Sequence, residues 1–262
     1  MNGELAQIIS LAGAGSVWLA GPPDAPPPTI DTTHWSFRYV GEFAFGLDDG
    51  PDTSTVSEWF EGLRGRGVSR LWLVTGDVGP VRHRRGPFAE RYLVAFAGAG
   101  TWSLLATGRT NEVWRSSWEV SDLHAPEQRI WHVSYRGATL DAPAEPPRPD
   151  AREAALRLRD AIGATKEFAA ANGAEEWVEV FDTALRGGAD TDRDLLPGRF
   201  PAEARELSAM ASASWVFGGM GSWNDLSFQG PLRERYERVS EDLYLAALDA
   251  LVAATSSDLD PR

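Results

Sequence analysis

Four groups of residues in this chain carry side chains that could do chemistry. Gly218, Gly219 and Gly221 precede Trp223, Asn224 and Asp225. The glycines permit backbone conformations that a Cβ forbids. Such a loop can present Trp223, Asn224 and Asp225 to a partner. The competing expectation is that Trp215 and Trp223 pack between helices while Asn224 or Asp225 bonds the turn. No Gly-Lys-Ser/Thr follows, so the loop is not a P-loop, and Ser222 lacks the second glycine of a nucleophile elbow. The second group, Arg82, His83, Arg84 and Arg85, is the one concentrated positive patch. Arginine forks grip carboxylates and phosphates bidentately, so this run is read as a candidate anion-binding loop.

Third come the carboxylates. Asp190, Asp192 and Asp194 alternate as in the first half of a calcium loop. Leu195 then stands where glycine is needed, and Pro201 where the bidentate glutamate should be, so calcium is not expected. Asp48, Asp49 and Asp52 read as a turn and helix cap. Fourth are the histidines, His34, His83, His124 and His132, none at the i,i+4 helical spacing of a zinc site. His34 and His132 are the two with a conceivable acid–base role. No catalytic, metal or nucleotide motif is complete, so no metal and no cofactor is expected.

The elements that must position these residues differ between the two halves. In the first half, a short helix is expected over residues 3–12, ended by Gly13 and Gly15, then a strand at Val17–Ala20. Trp35, Phe37 and Tyr39 alternate, and Phe43, Phe45 and Leu47 repeat the pattern, which predicts a strand pair or one bent strand with Gly41 at the bend or turn. A helix starting near Ser54 or Thr55 carries Val56, Trp59, Phe60 and Leu63, and ends at Gly65 or Gly67. Strands follow at Leu71–Val74, Tyr92–Phe96, Trp102–Leu105, Val113–Val120 and Ile130–Tyr135, at hairpin-like separations. Residues 140–150, with four prolines between Pro143 and Pro149, read as a semi-rigid linker. Beyond it the periodicity is helical: residues 151–171, then Trp177, Phe181 and Leu185, then Leu207 to Phe217 opened by Pro201, and last Pro231 into the low 250s. The expected fold class is α+β: a mostly antiparallel sheet with two helices (1–139), a linker (140–150) and a bundle of about four helices (151–262).

The totals narrow the function. The 262 residues include no cysteine, which excludes disulfides, thiolate catalysis and cysteine-bound zinc. Net charge is −13, and both halves are acidic, which disfavours nucleic acid. No apolar run approaches the roughly 20 residues of a membrane helix, and the opening lacks a signal-peptide pattern. A soluble cytoplasmic protein without membrane contact is therefore expected. Lys166 is the only lysine among 25 basic residues, a bias that suggests a GC-rich bacterial genome.

The run Trp215-Val-Phe-Gly-Gly-Met-Gly-Ser-Trp-Asn-Asp225, with Tyr236 and Val239-Ser-Glu-Asp-Leu-Tyr244, resembles the C-terminal part of some uncharacterised bacterial proteins over residues 214–254. The resemblance implies a bacterial origin and carries no activity. The leading expectation is a non-enzymatic protein that binds another protein through aromatic surface, in one version an immunity- or antitoxin-type inhibitor of a basic toxin. Two alternatives stand beside it. One is an enzyme with a site assembled between domains from His34, His132, residues 82–85 and Asn224–Asp225. The other is a homo-oligomeric structural component, suggested by the broadly apolar end of the last helix.

Overall fold

In the computed structural model, which describes residues 1–29, 31, 34–79, 87–146, 148–188 and 195–261, the chain divides into two compact units. One comprises Gly3–Arg85 and Gly100–Pro147; the other comprises Met1–Asn2, Gly86–Ala99 and Arg148–Arg262. The division at residue 148 lies within the expected linker. The inclusion of residues 86–99 with the C-terminal helices has no counterpart in the sequence reading.

The first unit is a five-stranded mixed sheet in the order β1-β5-β4-β3-β2, with β1 Val40–Leu47, β2 Val68–Thr75, β3 Trp102–Gly108, β4 Glu112–Val120 and β5 Trp131–Thr139. Strands β2 to β5 form an antiparallel meander, and β1 joins β5 in parallel. The register of β1 slips between Val40 and Glu42, so Gly41 occupies a bulge, where a Cβ would lie 2.6 Å from the Arg129 carbonyl oxygen. Trp114 of β4 faces Gly137 of β5; a Cβ on Gly137 would lie 2.7 Å from the indole, so the glycine makes room for the ring.

Helix α1 (Gly3–Leu19) lies against β2 and β3. It runs through Gly13 and Gly15 and includes Val17–Leu19, which corrects both the expected helix end and the expected strand. Gly15 does not stop the helix because it serves packing: a Cβ there would meet Leu71 at 2.5 Å and Phe60 at 2.6 Å. Ser16 Oγ donates to the Leu71 carbonyl at 2.9 Å and accepts from its N–H at 3.1 Å, covering part of the open edge of β2. Helix α2 (Val56–Gly65) begins where Thr55 accepts from the Glu58 N–H at 3.2 Å. Its Trp59 stacks on Phe45 and meets Trp114 edge-on, with centroids 4.8 and 5.5 Å apart. Residues 34–39 are turn, not strand, since Phe37 and Arg38 both donate to the His34 carbonyl. The start of the proline tract is no free spacer: Leu140 and Ala144 pack against Trp72, Val74 and Leu105 of the sheet.

The second unit holds α3 (Glu90–Leu93), α4 (Ala151–Ala171), α5 (Glu175–Leu185), α6 (Ala202–Ala213) and α7 (Pro231–Ser256). A short helix thus replaces the strand expected at Tyr92–Phe96, and α6 ends before Phe217. Helix α4 buries Leu158, Ile162 and Phe168, while α7 packs against both α4 and α6. The second half of α7 is apolar on several faces because Leu243, Tyr244, Ala247 and every residue from Ala250 to Ser256 are buried within the chain. That burial accounts for most of the pattern that suggested a homo-oligomer, while Leu245 of the same stretch is 49% exposed. Among the described residues, no helix is long and apolar enough to cross a membrane.

Candidate functional site

The glycine-rich segment of the second unit is built from its buried end outward. Trp223 opens a single 3-10 turn (Trp223–Asp225) and is fully buried. Its indole N–H donates to Ser240 Oγ at 2.7 Å, its carbonyl accepts from Tyr236 Oη at 2.6 Å, and Trp177 and Phe181 meet it edge-on. This corrects the expectation that Trp223 contacts a partner: an indole inside an aromatic cluster, with its one donor satisfied, is a foundation. Asp225 is exposed and accepts from the Gly221 N–H, closing the turn from below. Ser222 Oγ donates to the Gly218 carbonyl at 3.1 Å and accepts from the Asn224 N–H at 3.3 Å. Gly221, at φ +83°, adopts a conformation that favours glycine. Met220, at the tip between Gly219 and Gly221, is fully exposed.

Asn224 reaches into a polar cluster that sequence reasoning missed. Its amide donates to the Arg91 carbonyl at 2.7 Å and its oxygen accepts from Arg91 Nη1 at 3.1 Å. The Arg91 side chain is 0% exposed. Its Nη2 donates to Tyr92 Oη at 2.8 Å and also to Glu237, and its Nε lies 3.4 Å from Glu241 Oε2. Tyr92 Oη completes the ring with Glu237 at 3.0 Å. The guanidinium sits 3.9 Å from the centre of the Tyr92 ring, a cation–π contact.

Electrostatics follow from this burial. Desolvation raises the Glu241 carboxyl, opposed by Arg91 and reinforced by Glu90, Asp242 and Glu237. Burial pushes the Tyr236 hydroxyl up to about 12, and it raises Tyr92 and Tyr244 as well. None of the three phenols is poised to ionise near neutrality. The cluster is built as a clamp: one buried cation tethers the 87–97 segment to α7 and to the glycine-rich loop. The sequence did hold one signal for it. Glu237 and Glu241 lie four apart on a helix, a like-charged pair that invites a cation between them.

The segment so tethered carries Phe88 and Phe96, each 67% exposed. Two large aromatics and a methionine thus stand in solvent on pieces of chain joined through the Arg91–Asn224 bonds. Among the described residues of this unit the carboxylates of Glu237, Glu241 and Asp225 border those pieces, with the first two side chains 40% and 38% exposed.

The other candidates are engaged locally or lie elsewhere. Arg82, His83, Arg84 and Arg85 fall outside the described residues, as do Asp190, Asp192 and Asp194. His34 Nδ1 lies 2.6 Å from Ser36 Oγ, and its ring packs near Trp35 and Phe37. His132 Nδ1 lies 3.2 Å from Glu42 Oε2 across the β1–β5 pair. Asp52 pairs with Arg136, whose hydrogen bonds hold the carboxyl below the usual range, and Asp48 bonds Thr139. Among the described residues no three His, Asp or Glu side chains are grouped to hold a metal ion. In comparisons, no family model, no curated protein and no solved structure matches this chain.

Proposed function

We propose that the chain is a non-enzymatic binding protein whose contact surface in the helical unit is centred on Met220 and extended by Phe88 and Phe96. The single observation that carries this reading is the contrast within one loop. Trp223, Ser222 and Asp225 hold its base by burial and hydrogen bonds, while Met220 projects fully into water. A methionine on a fixed loop is presented with little backbone entropy left to lose, and its flexible side chain adapts its shape to a pocket. Exposed aromatics are the side chains that anchor interfaces.

The partner chemistry follows from charge. Net charge is −13, and carboxylates border the projecting residues. A basic protein with an apolar pocket fits this surface, and acidic complementarity speeds the encounter. Inhibition of a basic toxin, as by an immunity protein or antitoxin, is the specific form this reading takes.

The test is paired recovery. The tagged wild-type chain, Met220→Asp and, as a control in the other unit, Leu123→Asp are each used as bait in a lysate of the native host. Burial of a methionine side chain contributes about 1.5–3 kcal/mol, so Met220→Asp should weaken a partner by at least tenfold. Loss of one basic protein with Met220→Asp alone is the expected result. Identical recovery with all three baits removes Met220 from the interface and sinks the reading.

A further inference from the structure

A cleft of about 720 Å³ opens in the helical unit between the first three turns of α4, the end of α5 and one face of α6. Its floor is Leu185, Leu207 and Met210, the last two buried. The α4 side carries Arg152 and Arg159, and Arg186, which pairs with Glu179, lines the cleft just past α5. The α6 side carries Glu203 and Glu206, which share a face of that helix with Leu207 and Met210 through spacings of three and four. Opposite charges that line one cleft often pair. Here Arg152, Glu203 and Glu206 make no hydrogen bond or ion pair with any described residue, and Arg159 donates only to the Leu185 carbonyl, at 3.2 Å.

The volume falls within the range of small-molecule sites, roughly 300–1,000 Å³. The walls select the ligand. A simple anion is repelled by the two glutamates, and a simple cation by the arginines. An uncharged apolar molecule gains nothing from either wall. A ligand with a carboxylate at one end, an ammonium at the other and an apolar body between satisfies walls and floor together. A free α-amino acid holds both charges on one carbon, whereas each added residue separates them by about 3.8 Å.

We propose that this cleft binds short linear peptides of two or three residues with free termini and apolar side chains. The C-terminal carboxylate is held by Arg152 and Arg159, the N-terminal ammonium by Glu203 and Glu206, and the side chains lie on Leu207 and Met210. This site is independent of the Met220 surface.

Leucyl-leucine is the probe, titrated into the full chain by calorimetry. At about 0.3 kcal/mol per heavy atom its Kd is about 0.2 mM. N-acetylation, C-terminal amidation, Arg152→Ala and the double variant Glu203→Gln/Glu206→Gln should each weaken binding roughly tenfold. All these side chains are exposed, and unchanged melting of each variant confirms that folding is intact. In Arg152→Ala, amidated and free dipeptide should bind more nearly alike, because the carboxylate has lost its main partner. No saturable heat at roughly tenfold above that Kd would overturn the proposal. So would equal affinity for free leucine, or indifference to blocking of either terminus.

Discussion

Replacing Arg91 by methionine tests the clamp that joins residues 87–97 to α7 and the glycine-rich loop. Methionine keeps the stem and much of the volume while removing the charge. Removing one partner of a fully buried ion pair costs about 3–5 kcal/mol. Glu237 and Glu241 are 40% and 38% exposed, so they recover water when the guanidinium leaves, and the ion-pair part falls below that range. The hydrogen bond from Arg91 to Asn224 adds about 1.5–3 kcal/mol as a bond from a charged donor. We expect a net loss of about 2–4 kcal/mol, which for a unit of about 130 residues lowers Tm by about 10 °C. Thermal unfolding measures the loss, and hydrogen exchange should show faster exchange of the Val94 and Phe96 amides, which bond to Glu90 and Leu93. Adding Glu237→Leu to Arg91→Met should give a double variant less unstable than the two losses summed, since it removes the carboxylate left behind. A Tm change below about 2 °C, or strict additivity in that cycle, would refute the clamp.

Three further outcomes follow from the packing. Trp223→Ala should cost about 3–5 kcal/mol, because the indole is enclosed by Trp177, Phe181 and Tyr236; chemical denaturation measures this, and unchanged stability would put the ring back on the surface. Gly137→Ala should cost about 1–3 kcal/mol through its clash with the buried Trp114 indole, and a neutral result would mean the sheet yields there. Glu241 has a folded pKa raised above 4.5, so the native state holds its proton more tightly than the unfolded chain. Its contribution to stability is then greatest below that value and is lost as pH rises through the folded pKa. Melting curves of wild type and Glu241→Gln should diverge upward from about pH 4.5, with wild type losing ground; divergence in the opposite sense would contradict the burial argument.

The sheet and the helical unit were legible where side-chain periodicity reported burial directly. Val113–Val120 and Ile130–Tyr135 lie largely in strands, and the stripe of Val56, Trp59, Phe60 and Leu63 lies on α2. The α+β class followed from these. Misreadings arose where a residue type carries two meanings. Gly13 and Gly15 read as a helix end, yet Gly15 exists to let α1 approach Leu71 and Phe60. Trp35, Phe37 and Tyr39 alternate in sequence, but a helical turn around His34 buries Phe37 and leaves Tyr39 exposed. Asn224 was legible as a hydrogen-bonding residue, and its partner was not: Arg91 lies 133 positions away, and no local pattern encodes such a pairing. The exposure of Met220 was not legible, because it depends on how the loop folds over the buried Trp223, which is a tertiary fact.

The central claim is that Met220 touches a protein partner. Replacing Met220 by photoreactive benzoylphenylalanine, with Leu123 replaced likewise as control, and irradiating intact host cells tests it directly. The account predicts one discrete covalent adduct from position 220, containing a basic protein, and none from position 123. Absence of an adduct at 220 in well-expressed, folded protein, or the same adduct from both positions, would contradict it.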